Sequence, residues 1–207
     1  MSKSFALWLL IIGVFSCFIA MPVSLSAKEI TFRGRVIDYD TREPIEGAVV
    51  VASWLEARPT ISGESTRLKD VKEIVTDKNG EWSISGEEGQ PHTENTYYDF
   101  FTGTYHTRPP SFIIFKPGYC SWPAGFGIDS CKGKLKPSGN DKLANGETVE
   151  LQRLTGGEDR LKVLPEAIGD NRATFRKQKQ FMRLINEERI NMGLSESTMY
   201  TEIINEQ

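Results

Sequence analysis

The chain has 207 residues, with 25 basic and 28 acidic side chains, two histidines and three cysteines. That length allows one domain or two around a sizeable core. A net charge of −3 gives no general attraction to nucleic acid, and 39% hydrophobic against 26% charged residues fits neither a disordered chain nor a multi-span membrane protein.

The first elements belong to an address. Lys3 is the only charge before Lys28, and residues 5–20 are apolar apart from Gly13 and Ser16. A positive start, an apolar middle and the small, polar end Ser24-Leu25-Ser26-Ala27 make residues 1–27 a secretory signal peptide, cut after Ser26 or Ala27. Two other readings stay open: an uncleaved membrane anchor, because the run approaches the ~18 residues a span needs, or lipid attachment at Cys17, which Phe15 fits badly. Loss of residues 1–27 removes one lysine and leaves 24 basic and 28 acidic groups, a net −4. It also leaves two cysteines. In an exported protein Cys120 and Cys131 pair as a disulfide across a loop rich in Gly and Pro.

From Ile30 the chain reads as strands. Ile30, Phe32 and Val36 alternate with polar residues, the period of a half-buried strand. Residues 38–47 form a loop, and residues 48–55 (AVVVASWL) form a strand buried on both faces at its start. The polar residues 56–69 read as a long exposed connection and residues 71–76 as a third strand. Asp77-Lys78-Asn79-Gly80 then reads as a hairpin turn, its Asn-Gly supplying positive φ at little cost, and residues 81–85 return with Trp82 and Ile84 inward. Residues 111–116 and 147–154 complete an antiparallel sandwich.

The spacing Gly34-x-Val36-x-Asp38-x-x-Thr41-x-x-Pro44-Ile45-x-Gly47-Ala48-x-Val50, followed by Thr76-Asp77-x-Asn79-Gly80-x-Trp82-x-Ile84, resembles the carboxypeptidase regulatory-like domain family. The resemblance implies a mainly β, transthyretin-like (Ig-like) seven-stranded sandwich over residues 28–155, interrupted by an insertion at 86–110. It says almost nothing about function. Such domains accompany zinc peptidases without doing their chemistry. The chain has no His-x-x-Glu pair to build that zinc site, so carboxypeptidase activity is excluded.

Ten aromatic residues fall between Tyr97 and Phe126, most of them among glycines and prolines that mark loops. Tyr97, Tyr98, Tyr105 and Trp122 are the candidate binding surface, for an envelope polysaccharide or a protein partner; the competing reading packs them over the sheet. His92, Tyr97 or Tyr98, Tyr105 and His106 are also the four residue types with which intradiol dioxygenases hold ferric iron, but the two-apart histidine spacing of those enzymes is missing. Asp77 with Glu88 at the twelfth position imitates a calcium loop, yet the alternation of residues 82–84 reads as strand. No cofactor is expected.

Residues 156–207 read as a helical extension. Gly156-Gly157 leads into a short helix ended by Pro165. Asp170 is placed to cap a long helix reaching Met192, with Phe175, Phe181, Met182, Leu184, Ile185 and Met192 on one stripe. Arg172, Arg176, Lys177, Lys179 and Arg183 lie on another face, suited to solvent or to an anionic surface. Ser195 caps a last helix to about Asn205. The expected function is a non-catalytic, exported sandwich serving structure or protein interaction in the cell envelope, with carbohydrate binding and iron oxygenase chemistry as the alternatives.

Overall fold

The computed structural model describes residues 28–90, 96–123, 131 and 143–206, with the backbone alone for 96–98. Residues 1–27, His92 and Phe126 lie outside the described residues, so the signal segment and one of the candidate iron ligands receive no structural account. The order is β1 (Glu29–Asp38), β2 (Val49–Thr60), β3 (Gly63–Val75), β4 (Glu81–Glu87), α1 (Thr96–Thr102), β5 (His106–Thr107), β6 (Ser111–Phe115), β7 (Glu147–Leu151), α2 (Gly157–Lys162), α3 (Arg172–Arg176), α4 (Lys179–Asn191) and α5 (Thr198–Asn205).

Two sheets face each other in a sandwich-like arrangement. One runs β4-β1-β7; in the other β2 pairs β3 on one edge and shares its second edge between β6 and β5. The pairing departs from a wholly antiparallel sandwich in one place, since β1 and β7 run parallel. A second departure concerns residues 77–80. The turn forms, with Gly80 at φ +72° and Asp77 Oδ1 accepting the N–H groups of Asn79 and Glu81. The strands it joins, however, pair with β2 and β1 respectively. It is a corner between sheets, because Gly80 is drawn onto β1, where its carbonyl accepts from the Val36 amide. A side chain at Gly80 would run into the Val36 carbonyl at 2.2 Å.

Residues 56–69 are not an open connection. β2 and β3 pair continuously from Val49↔Val75 to Thr60↔Gly63, with a bulge that leaves Lys69 unmatched. The polarity of these residues reflects their position: β6 covers β2 only through Ser53 and β5 only at Glu56 and Ala57, so the distal arm leaves the body of the sandwich. Pro59 sits beyond β5, where an edge strand tolerates a missing donor.

Side chains of alternating parity on β2 feed two different cores. Val50, Ala52 and Trp54 point between the sheets, against Val36, Trp82, Ile84, Phe112, Ile114 and Leu151. Val49 and Val51 point the other way, with Val71 and Phe115, onto Phe181, Met182, Ile185, Tyr200 and Ile203 of the C-terminal helices. The continuous apolar start of β2 thus has a partner on each face, as its sequence implied. The Cys120–Cys131 disulfide is buried in the first core.

The C-terminal segment is a third layer fastened by polar contacts. The Glu73 carboxylate, on β3, accepts the N–H groups of Gln180 and Phe181 at 2.8 Å each and so caps the open first turn of α4. Glu188, fully buried, takes a bidentate Arg160 at 2.5 and 2.6 Å and the Gly118 amide at 3.0 Å. The expected single helix from Asp170 is broken. Asn171, not Asp170, caps α3 through Thr174 N–H, and buried Gln178 interrupts the helix because its side chain bonds both backbone groups of Ile168. Likewise Ser197 rather than Ser195 precedes α5, held by Asn186. The basic stripe is largely spoken for: Arg172 and Arg176 pair with Glu206, Lys177 with Asp70, and Lys179 donates to the carbonyls of Ile204 and Glu206.

Candidate functional site: the two poles of the sandwich

The loops collect at two ends. At one pole the distal β2–β3 arm projects beside α1 and β5. Arg58 on β2 and Arg67 on β3 are diagonal neighbours on one face, and both guanidinium carbons lie over the Tyr105 ring, at 4.9 and 4.1 Å from its centre. Arg58 also reaches the end of α1 at Gly103, and Arg67 pairs with Glu56. Lys69 is pinned by Glu87 and Thr107 at 2.7 Å. Burial alone would lower the Lys69 pKa, but the Glu87 and Glu56 carboxylates outweigh it and raise it. Lys69 in turn holds the Glu87 carboxyl below its ordinary range. Arg108 binds the Glu64 carboxylate and ties the arm to the segment after β5.

Two large apolar side chains stand out of this polar frame. Ile61, at the hairpin tip, is 94% exposed, and Phe101, on α1, is 82% exposed. Phe100 packs edge-on against Phe101 at 5.5 Å. The sequence places Phe101 in the aromatic run 97–126 without setting it apart from its neighbours, and does not mark Ile61 as a surface feature. The only hint was an isoleucine between Thr60 and Ser62 with glycine next, an apolar residue at a place that turns.

Of the residues expected to form a binding surface, Tyr105 and Trp122 have described side chains, and these lie in different surroundings. Tyr97 and Tyr98 lie on α1, a short helix where loop had been expected. Tyr105 is half-buried beneath its two arginines. Trp122 is only 8% exposed: it pairs by backbone with Ile114 and packs in the core between the sheets, so it offers no platform for a ligand. Its partner in the loop, Cys120, is likewise buried. The competing reading of these aromatics, as packing, accounts for Trp122 and Tyr119.

Of the candidate iron ligands, Tyr105 and His106 have described side chains, and each already has a partner. His106 Nε2 lies 2.7 Å from Asp99, whose side chain is almost wholly buried. The cations against Tyr105 have the wrong sign to favour a ferric neighbour. At the imitation calcium loop, Asp77 is taken up by backbone N–H groups and Glu88 pairs with Lys28 at 2.8 Å.

The opposite pole carries a cluster that sequence reasoning missed. Tyr119 donates its hydroxyl to Asp38 Oδ2 at 3.0 Å, while Asp38 Oδ1 accepts from Asp40 and Thr41 N–H. Arg153 donates to the Tyr119 hydroxyl at 2.6 Å and stacks over its ring. Burial pushes the Asp38 carboxyl up, yet the Thr41 and Asp40 amides, Tyr119 and Arg153 together hold it below the usual range. Burial and the Asp38 carboxylate keep the phenol of Tyr119 protonated, above its ordinary value. The cluster borders a cleft of about 540 Å³ with Lys116 on its rim. Asp38, Tyr119 and Arg153 come from three chain segments more than thirty residues apart, so only the fold brings them together. What they do is fix the 39–47 loop to the ends of β6 and β7.

No family model matches the chain, and no curated protein matches it. Among solved structures it is similar to 3-chlorocatechol 1,2-dioxygenase from Rhodococcus opacus 1CP, at 21% identity and TM-score 0.31 over 65% of this chain and 63% of that one. It is similar also to catechol 1,2-dioxygenase from Acinetobacter sp. ADP1, at 15% identity and TM-score 0.32 over 73% and 59%. A third is the major plantain pollen allergen, at 12% identity and TM-score 0.28 over 62% and 96%. The chain spans about six tenths of the length of the two dioxygenases.

Proposed function

We propose that the chain is an exported, non-catalytic β-sandwich of the transthyretin-like type, akin to carboxypeptidase regulatory-like domains, which works by surface contact in the cell envelope. The fold assignment is supported by the way the motif residues serve one another. A side chain on Gly34 would meet the Trp82 ring at 2.6 Å. Asp38 organises Thr41, and the Thr76 hydroxyl donates to the Ile45 carbonyl and accepts from Ala48 N–H. Export is supported by the disulfide and by the composition of residues 1–27.

The observation that carries the contact reading is the pair Ile61 and Phe101. Both stand almost fully in solvent at one pole, Ile61 in the turn of the β2–β3 hairpin and Phe101 on α1, while Asp38, Asp99 and Glu188 are each engaged with structural partners. An apolar side chain held out by a rigid frame is the form a contact anchor takes. The described elements all fall between residues 28 and 206, so a chain beginning at Lys28 serves the test. Added to isolated envelopes, it is expected to bind, and the double substitution Ile61→Asp, Phe101→Asp to weaken binding by about tenfold or more. Unchanged binding in the folded double variant would count against the hairpin pole as the contact surface.

A further inference from the structure

We infer that the cleft at the Asp38 pole binds a short peptide with free ends, its carboxylate at Arg153 and Lys116 and its ammonium group at Glu43 and Glu46. This site lies apart from the contact surface proposed above and does not depend on it. Its cationic side is built on Tyr119. Arg153 Nη2 donates to the Tyr119 hydroxyl at 2.6 Å, and the guanidinium carbon lies 5.1 Å from the ring centre. The group is thus held by one edge and one face, while its side chain stays 66% exposed. Its carboxylate contact, Asp38, is 3.9 Å away and already accepts from Tyr119 and two amides. Most of the guanidinium donors therefore remain open. Lys116, half-buried on the same cleft, has the Gly47 carbonyl at 3.4 Å and no carboxylate partner among the described residues.

The anionic side is the 39–47 loop. Glu43 and Glu46 are exposed, line the same cleft, and have no side-chain hydrogen bond or ion pair among the described residues. Backbone contacts fix the loop that carries them. The Glu43 carbonyl accepts from Asp38 N–H at 2.8 Å, and Ile45 N–H donates to the Val36 carbonyl at 3.0 Å. Between Asp38 and Glu43 the chain passes through Arg42 at φ +63°, the one non-glycine residue with positive φ among the described residues. That conformation is costly outside glycine and persists only where the surroundings over-determine it. Charges of both signs therefore line one cleft on fixed supports without neutralising each other.

Charge and size select the ligand. A simple anion drawn to Arg153 and Lys116 meets repulsion from Glu43 and Glu46, and a simple cation meets the reverse. A zwitterion satisfies both sides. A carboxylate suits the planar fork of Arg153, which accepts it through two parallel bonds. The cleft, at about 540 Å³, has the volume of a site for drug-sized ligands, so it takes a peptide of a few residues rather than one amino acid. Pro44, Pro117 and Leu154 add apolar wall for the peptide's side chains.

The test is isothermal titration calorimetry on the chain beginning at Lys28, with trialanine, N-acetyl-trialanine, trialanine amide and phosphoethanolamine as probes. Trialanine should bind, and blocking either end should weaken it by about tenfold or more. Added salt should weaken it too, because the cleft is open to solvent. Arg153→Gln should cost trialanine about tenfold but leave the affinity for trialanine amide unchanged, since the amide has no carboxylate to lose. The double variant Glu43→Gln, Glu46→Gln, altered only at exposed side chains, should do the converse and spare N-acetyl-trialanine. The Ile61→Asp, Phe101→Asp variant should bind trialanine as the parent does, so the cleft and the contact surface fail separately. No binding of trialanine at millimolar concentration, or blocked peptides binding as well as the free one, overturns the assignment. So does tighter binding of phosphoethanolamine, or trialanine affinity that neither the Arg153 nor the glutamate variant alters.

Discussion

The two halves of the β2–β3 hairpin, made of the same two strands on either side of the bulge at Lys69, are treated differently by the rest of the molecule. The proximal half, from Val49 to Trp54, is enclosed on both faces, by the facing sheet on one side and the C-terminal helices on the other. The distal half, from Leu55 to Thr60, extends past both of those layers; it is half-buried beside α1 and β5, and carries glutamate, arginine and, at its tip, an exposed isoleucine. Antiparallel pairing to the same neighbour therefore does not decide what a strand is for; the layers that cover it do. Burial on both faces makes the proximal half a source of stability, and the thinner cover of the distal half leaves its tip free to present a side chain.

If that division is right, the largest loss comes from the proximal half. Phe181→Ala, which empties the contact with Phe115 at 6.3 Å between ring centres, is expected to cost about 3–5 kcal/mol. Urea unfolding measures it. Removal of residues 169–207 should go further and abolish the cooperative transition, since it uncovers Val49, Val51 and Phe115 together. A truncated chain that unfolds cooperatively at an unchanged midpoint would break the comparison.

Next in size is the disulfide. Replacing Cys120 and Cys131 by serine opens a loop of sequence separation 11 in the first core and is expected to cost about 2–4 kcal/mol, read from the denaturation midpoint under non-reducing conditions.

A pH profile sharpens the picture through two carboxylates of opposite sign. Asp38 titrates below its ordinary value of 3.8 when folded. Its contribution is present above that value and is lost as pH falls through the lower folded one. Burial pushes Glu73 above its ordinary 4.5, against the pull of the Gln180 and Phe181 amides and Arg183. Its contribution runs the other way, present below 4.5 and lost as pH rises through the raised folded value. Melting temperatures of Glu73→Gln should lack the second decline and keep the first.

The smallest effect is expected at the distal tip. Ile61→Ser with Phe101→Ser should leave stability within about 0.5 kcal/mol of the parent, while envelope binding falls. A large destabilisation would show that the distal half belongs to the core after all.

Much of the sandwich was legible because burial leaves period-two traces. Ile30, Phe32 and Val36 gave β1, and the unbroken AVVVASW gave a strand covered on both faces. The distal arm was not legible, because once a strand leaves the core its side chains follow solvent and mimic a loop. The corner at residues 77–80 was misread for a related reason: Asn-Gly specifies the turn but not which sheet each flanking strand joins. That choice is made by Trp82 and Ile84 packing across from β2. In the tail, the period of Phe181, Met182 and Ile185 marked a buried stripe, but not that its counterpart was Val49, Val51 and Val71 of the same chain. As for the candidate site, aromatic composition drew attention to Trp122, which the core consumes. Ile61 and Phe101 are set apart by their exposure, which depends on the fold and leaves no trace in local composition.

Native-state hydrogen exchange, read residue by residue on residues 28–207, tests the central claim most directly. If the C-terminal helices are an integral third layer, amides of Val49, Val51 and residues 182–188 exchange through one shared opening, with equal free energies that rank among the highest in the molecule, while amides near Ile61 exchange far faster. Exchange of residues 182–188 at rates many-fold above those of Val49 and Val51, with the sheet still protected, would contradict it.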